Sequence, residues 1–141
     1  MKNLYTAGIL LFSVLSFGCS KDFLKKYDER VIGTWRISDI DRFGLGGNIR
    51  NLAFQEGTFT FTDGGNVTYI NASNVSFRGH WDISKKMVND QTVRGLEISV
   101  ADFTNQVVLS EYYDDMNFAG TDHFKTTINS GAHSYVTHFR R

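Results

Sequence analysis

From Val31 onward the apolar residues recur at every second position, in short runs broken by glycine, asparagine and aspartate. That period belongs to half-buried strands and excludes helices over most of the chain. Thr58-Phe59-Thr60-Phe61-Thr62 is the clearest case, with both phenylalanines on one face. Asp63-Gly64-Gly65-Asn66 follows as a hairpin turn, because Gly and Asn accept positive φ, and Val67-Thr68-Tyr69-Ile70 returns. Before it, Ile32 to Ile37 reads as a first strand, and Asp39 to Asn48 leads into a loop through Gly44, Gly46 and Gly47. Those glycines neither follow a strong strand nor open a helical pattern, so they do not make a phosphate loop. After it, Asn71 to Asn74 turns the chain. Val75, Phe77, Gly79, Trp81 and Ile83 then alternate, with Gly79 placed for a bend or bulge. Ser84 to Gln91 reads as a polar loop. Leu96, Ile98 and Val100 mark another strand, Val107 to Tyr113 and Phe118 to Ile128 two more, and His133 to Arg140 the last, beyond a turn at Asn129 to Ala132. About eight short strands at this spacing predict an all-β sandwich or barrel. Pairing of the last strand onto the first would remove exposed edges.

Composition narrows what such a domain can do. The 15 Lys and Arg balance 15 Asp and Glu, so no charge excess steers the chain to nucleic acid or to anionic lipid. There is no proline, hence no slow X-Pro isomerisation in folding. With 12 Phe, 6 Tyr and 2 Trp, aromatic area suffices for a core of one domain.

The first 30 residues follow other rules. Lys2 precedes an apolar run from Leu4 to Phe17, which has the length of a secretory h-region rather than a membrane span. The single cysteine, Cys19, stands after Gly18, where this run gives way to Ser20-Lys21-Asp22-Phe23. The stretch Leu15 to Cys19 resembles a bacterial lipoprotein signal with a loose lipobox of the Bacteroidetes type. The resemblance implies cleavage before Cys19, lipidation of its thiol with acyl chains such as palmitate, and an outer-membrane location. The small residues Ser16 and Gly18 also suit an ordinary signal peptidase, which would leave Cys19 a free terminal thiol. Ser20 to Phe23 is similar to short charged surface-export signals, and is equally readable as a solvated tether. From Lys21 to Arg30, the spacing of Phe23, Tyr27 and Val31, with Leu24 alongside, predicts a short helix. It would serve as a plug over a barrel mouth or as a plain tether. The expected organisation is a signal peptide over 1–18, a lipidated tether and helix over 19–30, and a β-domain over 31–141.

Several short motifs in that domain resemble lipocalins. Gly33-Thr34-Trp35 on the first strand is similar to the family's G-x-W motif. Phe139-Arg140-Arg141 is similar to the stretch that carries its last-strand arginine, and the resemblance implies Arg140 or Arg141 packing on Trp35. Phe59-x-Phe61-x-Asp63-Gly64-Gly65 and Gly79-x-Trp81-x-Ile83 resemble lipocalin-like domains of Bacteroidetes lipoproteins. The likeness spans about residues 30–141. It departs at Glu111-Tyr112-Tyr113-Asp114-Asp115, a poor echo of the T-D-Y motif, and no disulfide pins the fold. The resemblance implies a small up-and-down antiparallel barrel of about eight strands with a short N-terminal helix, and a cup for a small apolar ligand.

Phe59, Phe61, Tyr69, Phe77, Trp81 and Phe124 are the inward candidates. They line a pocket if the barrel is wide, and they are plain core if it is narrow. No enzyme motif accompanies them. His133 and Ser134 lack a nucleophile elbow, and adjacent Asp114 and Asp115 point to opposite faces of any strand. If the last hairpin turns on Ser130-Gly131, partner numbers sum to 261, and His123 lies opposite His138. Directly paired imidazoles could bind zinc or copper given a third ligand; none is evident and both histidines fall on the outer face, so a solvent-exposed pair without metal is the expectation. The expectation is therefore a non-enzymatic envelope lipoprotein without cofactor or metal. It meets the membrane through its anchor and binds a small hydrophobic ligand, or alternatively acts as a filled scaffold for a protein partner.

Overall fold

The computed structural model describes residues 26–46 and 50–141. The chain divides into two compact units, Met1–Arg30 and Val31–Arg141. Cys19, the leader, and Phe23 and Leu24 of the expected helix lie outside the described residues. The helix α1, Tyr27–Val31, occupies the end of that expected stretch, with Arg30 N donating to Lys26 O at 3.0 Å.

In the second unit the period-two runs become nine strands. They are β1 (Gly33–Phe43), β2 (Thr58–Phe61), β3 (Asn66–Ile70), β4 (Ser76–Val88), β5 (Gln91–Asp102), β6 (Val107–Tyr113), β7 (Asp115–Phe118), β8 (His123–Ser130) and β9 (His133–Arg140). They form one antiparallel sheet in the order β6-β5-β4-β3-β2-β1-β9-β8-β7. The order is a meander in which the last strand returns to the first. No ladder joins β6 to β7 among the described residues, so the sheet is open between them. Those two strands are consecutive in the chain, separated by Asp114 alone. Asp114 N donates to Thr127 O at 2.8 Å, at the point where the chain leaves β5 for β8. Across the sheet β7 also lies near β5, and β6 near β8.

Local chemistry explains the connections. Gly64 and Gly65 take φ of 80° and 78° in the β2–β3 turn, and Asp63 Oδ1 accepts from Gly64 N at 2.9 Å. Asn71 Oδ1 accepts from Ser73 N and Val75 N at 3.0 and 2.9 Å in the next turn. The expected polar loop over Ser84 to Gln91 is instead a hairpin. The β4–β5 register runs unbroken to Val88↔Gln91, and the turn is Asn89-Asp90 with φ of 50° and 60°. Two adjacent residues in the left-handed region favour a tight two-residue turn, and the polar side chains around it simply face water. Gly79 makes no bulge either, since its register with Val100 is regular. A Cβ there would meet Ser99 O at 1.9 Å, so close strand approach is what requires glycine.

The last hairpin turns on Gly131-Ala132, with Gly131 at φ 60°. Its partner numbers sum to two more than expected: His123 pairs with Arg140, and Lys125 with His138. Moving the turn by one residue shifts each partner by two positions. That preserves the face of every side chain. Phe124, Ile128, Tyr135 and Phe139 are therefore buried, and the two histidines remain on the opposite face.

Candidate functional site

All six inward aromatics are buried, from 0% exposure at Phe59 and Phe124 to 8% at Trp81. They contact one another and their neighbours. Phe59 stacks on Tyr69 at 4.6 Å between centroids and on Phe61 at 5.8 Å. Phe61 meets Trp81 edge-on at 5.7 Å, and Tyr69 lies 5.6 Å from Phe77. Phe124 stacks on Phe139 at 4.5 Å and meets Trp35 edge-on at 4.7 Å. Stacked and edge-to-face contacts at these separations are those of packed aromatic cores. Burial raises the pKa of the Tyr69 hydroxyl, and the charge of Glu56 adds to it.

Trp35 is fully buried, and its Nε1 donates to Val31 O at 2.7 Å. The arginine over its ring is Arg141, 4.4 Å from the centroid, and not Arg140. The alternation that turns Phe139 inward turns Arg140 outward, opposite Arg36 and His123. Only a residue beyond the strand end can fold over the tryptophan. Arg141 also donates to Ile32 O at 3.0 Å. Gly33, at φ 128°, leaves room for this guanidinium, which a Cβ would meet at 3.4 Å.

A feature of ligand size lies elsewhere. A cleft of about 620 Å³ opens between β1 and a strap over residues 50–56, with Tyr135 of β9 against it. None of the six aromatics lines it. The strap is held through four of its residues. Arg50 N donates to the Tyr135 hydroxyl at 2.8 Å. The Arg50 guanidinium pairs with Glu111 Oε1, and Ala53 N donates to Glu111 Oε2 at 3.0 Å. Phe54 is buried edge-on against Phe59 and Tyr69, at 5.2 and 5.0 Å. The Tyr69 hydroxyl donates to Glu56 O at 2.7 Å. Sequence reasoning missed Phe54, Glu111 and Arg50. The strap carries no period, and the one available signal was an isolated Leu52-Ala53-Phe54 in a polar stretch.

Among the described residues the other polar groups form small, separate sets. His138 Nε2 lies 3.1 Å from Asp41 Oδ2, and its Nδ1 lies 3.1 Å from His123 Nε2. Burial, then the charges of Arg140 and His138, lowers the pKa of His123. Among the described residues no group of three or more His, Cys, Asp or Glu could hold a metal ion. Asp114 Oδ2 accepts from Asn129 N at 2.7 Å, while Asp115 accepts from the Asn117 amide. Each therefore serves backbone or side-chain geometry by itself. Thr126, Thr137 and His133 are buried without a hydrogen-bond partner among the described residues. They lie on the inner face of β8 and β9.

No family model, curated protein or solved structure matches this chain.

Proposed function

We propose that this chain is a non-catalytic lipoprotein of the bacterial cell envelope, anchored in the outer membrane through lipidated Cys19. Its β-domain is a lipocalin-like barrel used as a filled scaffold, with recognition at the rim rather than inside. In this reading β6 and β7 act as one strand that changes partner at Asp114. The sheet then closes as eight strands, which removes its two free ends. The meander order and the single residue between β6 and β7 support that closure.

The observation that carries the scaffold reading is the mutual packing of Phe59, Phe61, Tyr69, Phe77, Trp81 and Phe124. Rings in van der Waals contact leave no apolar surface between them for a ligand to cover. The same packing weighs against a small hydrophobic ligand held in the interior. Protein lacking residues 1–19, titrated with an environment-sensitive fluorescent lipid, is expected to give no saturable emission change. A saturable change lost in Phe77→Asp would return the case to the hydrophobic-ligand reading. The anchor is tested separately: Cys19→Ala should move the protein from the membrane to the soluble fraction, since multiple acyl chains are what hold it firmly.

A further inference from the structure

We propose that the free edge of β1 from Ser38 to Phe43 docks a short, extended polypeptide segment, added to the sheet as a further strand in the cleft beside the strap. This deepens the scaffold reading by naming the partner class, and the anchor and the filled interior are tested apart from it.

The pairing of β1 is unequal. On one side β9 follows it from Arg36 to Phe43. On the other, β2 covers only Gly33 to Arg36, and Ile37 N to Gly57 O at 3.1 Å is the last backbone bond. Beyond Ile37 no strand among the described residues lies on that side. An unpaired edge presents alternate N–H and C=O groups that require partners. Ile40 N finds only the carboxylate next to it, Asp39 Oδ1 at 2.9 Å. A local side-chain acceptor of this kind is one that an incoming carbonyl can replace.

The cleft selects a peptide over other occupants. At about 620 Å³ it falls in the range of small-ligand sites, about 300–1,000 Å³. A pentapeptide, at about 3.4 Å per residue, matches the reach of Ser38 to Phe43. Charge divides along the edge. Asp39 and Glu56 stand toward the β2 end, since Gly57 bonds Ile37. Arg42 stands toward the other end, opposite Tyr135. Arg50 is already neutralised by Glu111, whereas Arg42 has no ion-pair partner among the described residues. Ile37, Ile40 and Leu52 lie between these ends. The matching segment is basic at one end, acidic at the other and β-branched in the middle. Backbone bonds supply affinity in such strand addition, and the alternate side chains supply selectivity.

The test uses the full chain in detergent micelles and the fluorescein-labelled peptide Lys-Thr-Val-Thr-Glu, read by fluorescence anisotropy. Two N-methylated versions are compared, one methylated at both threonines and one at the valine. Only alternate amides of an added strand face β1. One version should therefore bind about tenfold more weakly, while the other stays within about threefold of the parent. Arg42→Glu should weaken the parent peptide about fivefold, and replacing the peptide's Glu by Lys should restore it. Hydrogen exchange should slow over residues 38–43 when the peptide is bound. Equal binding by all three backbones, or displacement of the peptide by a fluorescent lipid, would overturn the proposal. Absence of peptide binding would also overturn it, and would leave the filled scaffold standing.

Discussion

The two halves of β1 obey different rules, and the bulge between Ile37 and Asp39 divides them. Before it, the strand pairs with β2 over Gly33 to Arg36, meets β9 at Arg36 and Ile37, and alternates cleanly: Trp35 and Ile37 are buried, Thr34 and Arg36 exposed. After it, among the described residues, the strand is paired on one edge, and no residue from Ser38 to Phe43 is buried. The first half belongs to the aromatic interior, where every ring has a neighbour. The second half borders a cleft in which Arg42 lacks an ion-pair partner among the described residues and the Ile40 amide makes do with its neighbour's carboxylate. A single strand thus carries both a part packed into the aromatic interior and a part that borders the cleft.

The largest effect expected from this contrast comes from the packed half. Trp35→Ala removes the ring that meets Phe124 and receives Arg141. It should cost about 3–5 kcal/mol, read as a shift in the denaturant midpoint. Arg42→Ala on the same strand should change stability by less than about 0.5 kcal/mol. Similar losses in both would erase the distinction between the halves.

Next is the strap. Glu111→Ala leaves Ala53 N and the Arg50 guanidinium without their shared acceptor. Arg50 is 41% exposed, so water takes up part of its charge, and the expected loss is roughly 1–3 kcal/mol. Amide exchange over residues 50–56 should quicken in this variant, while Trp35 remains protected. Unaltered exchange there would mean that Phe54 and the hydroxyls of Tyr135 and Tyr69 suffice to hold the strap.

The smallest effect lies on the outer face. Burial, Arg140 and His138 hold the folded-state pKa of His123 below its ordinary value, with Lys125 adding to this and Asp122 opposing it. Below about pH 6.5 the unfolded chain then binds more protons than the folded one. Thermal stability should accordingly fall as the pH drops from about 7 through that window. In His123→Gln the fall should flatten. A decline of equal steepness in the variant would assign the effect to another group.

The packed half was legible in the sequence and the cleft was not. Thr58 to Thr62, the turn at Asp63-Gly64-Gly65 and the run from Phe77 to Trp81 each announce their faces through period two. That pattern remains readable even when a turn is misplaced by one residue, as at Gly131. The His123–Arg140 pairing depends on where the turn falls, so it was missed. Arg140 and Arg141 were both candidates for the Trp35 ring, and strand alternation, which turns Arg140 outward, leaves Arg141. The strap has no period, and its anchors Glu111 and Tyr135 lie far from it in sequence. Long-range pairs such as Arg50 with Glu111 leave no local trace.

The most direct measurement is residue-resolved amide hydrogen exchange along β1 in the full-length protein. The Ile37 amide is bonded to Gly57 O, and the Ile40 amide only to the Asp39 carboxylate. Slow exchange is expected at Ile37, governed by opening of the packed sheet, and exchange at Ile40 faster by orders of magnitude. Equal protection at the two amides would mean that a partner strand already covers the edge, and would contradict the division of β1 into a closed half and an open one.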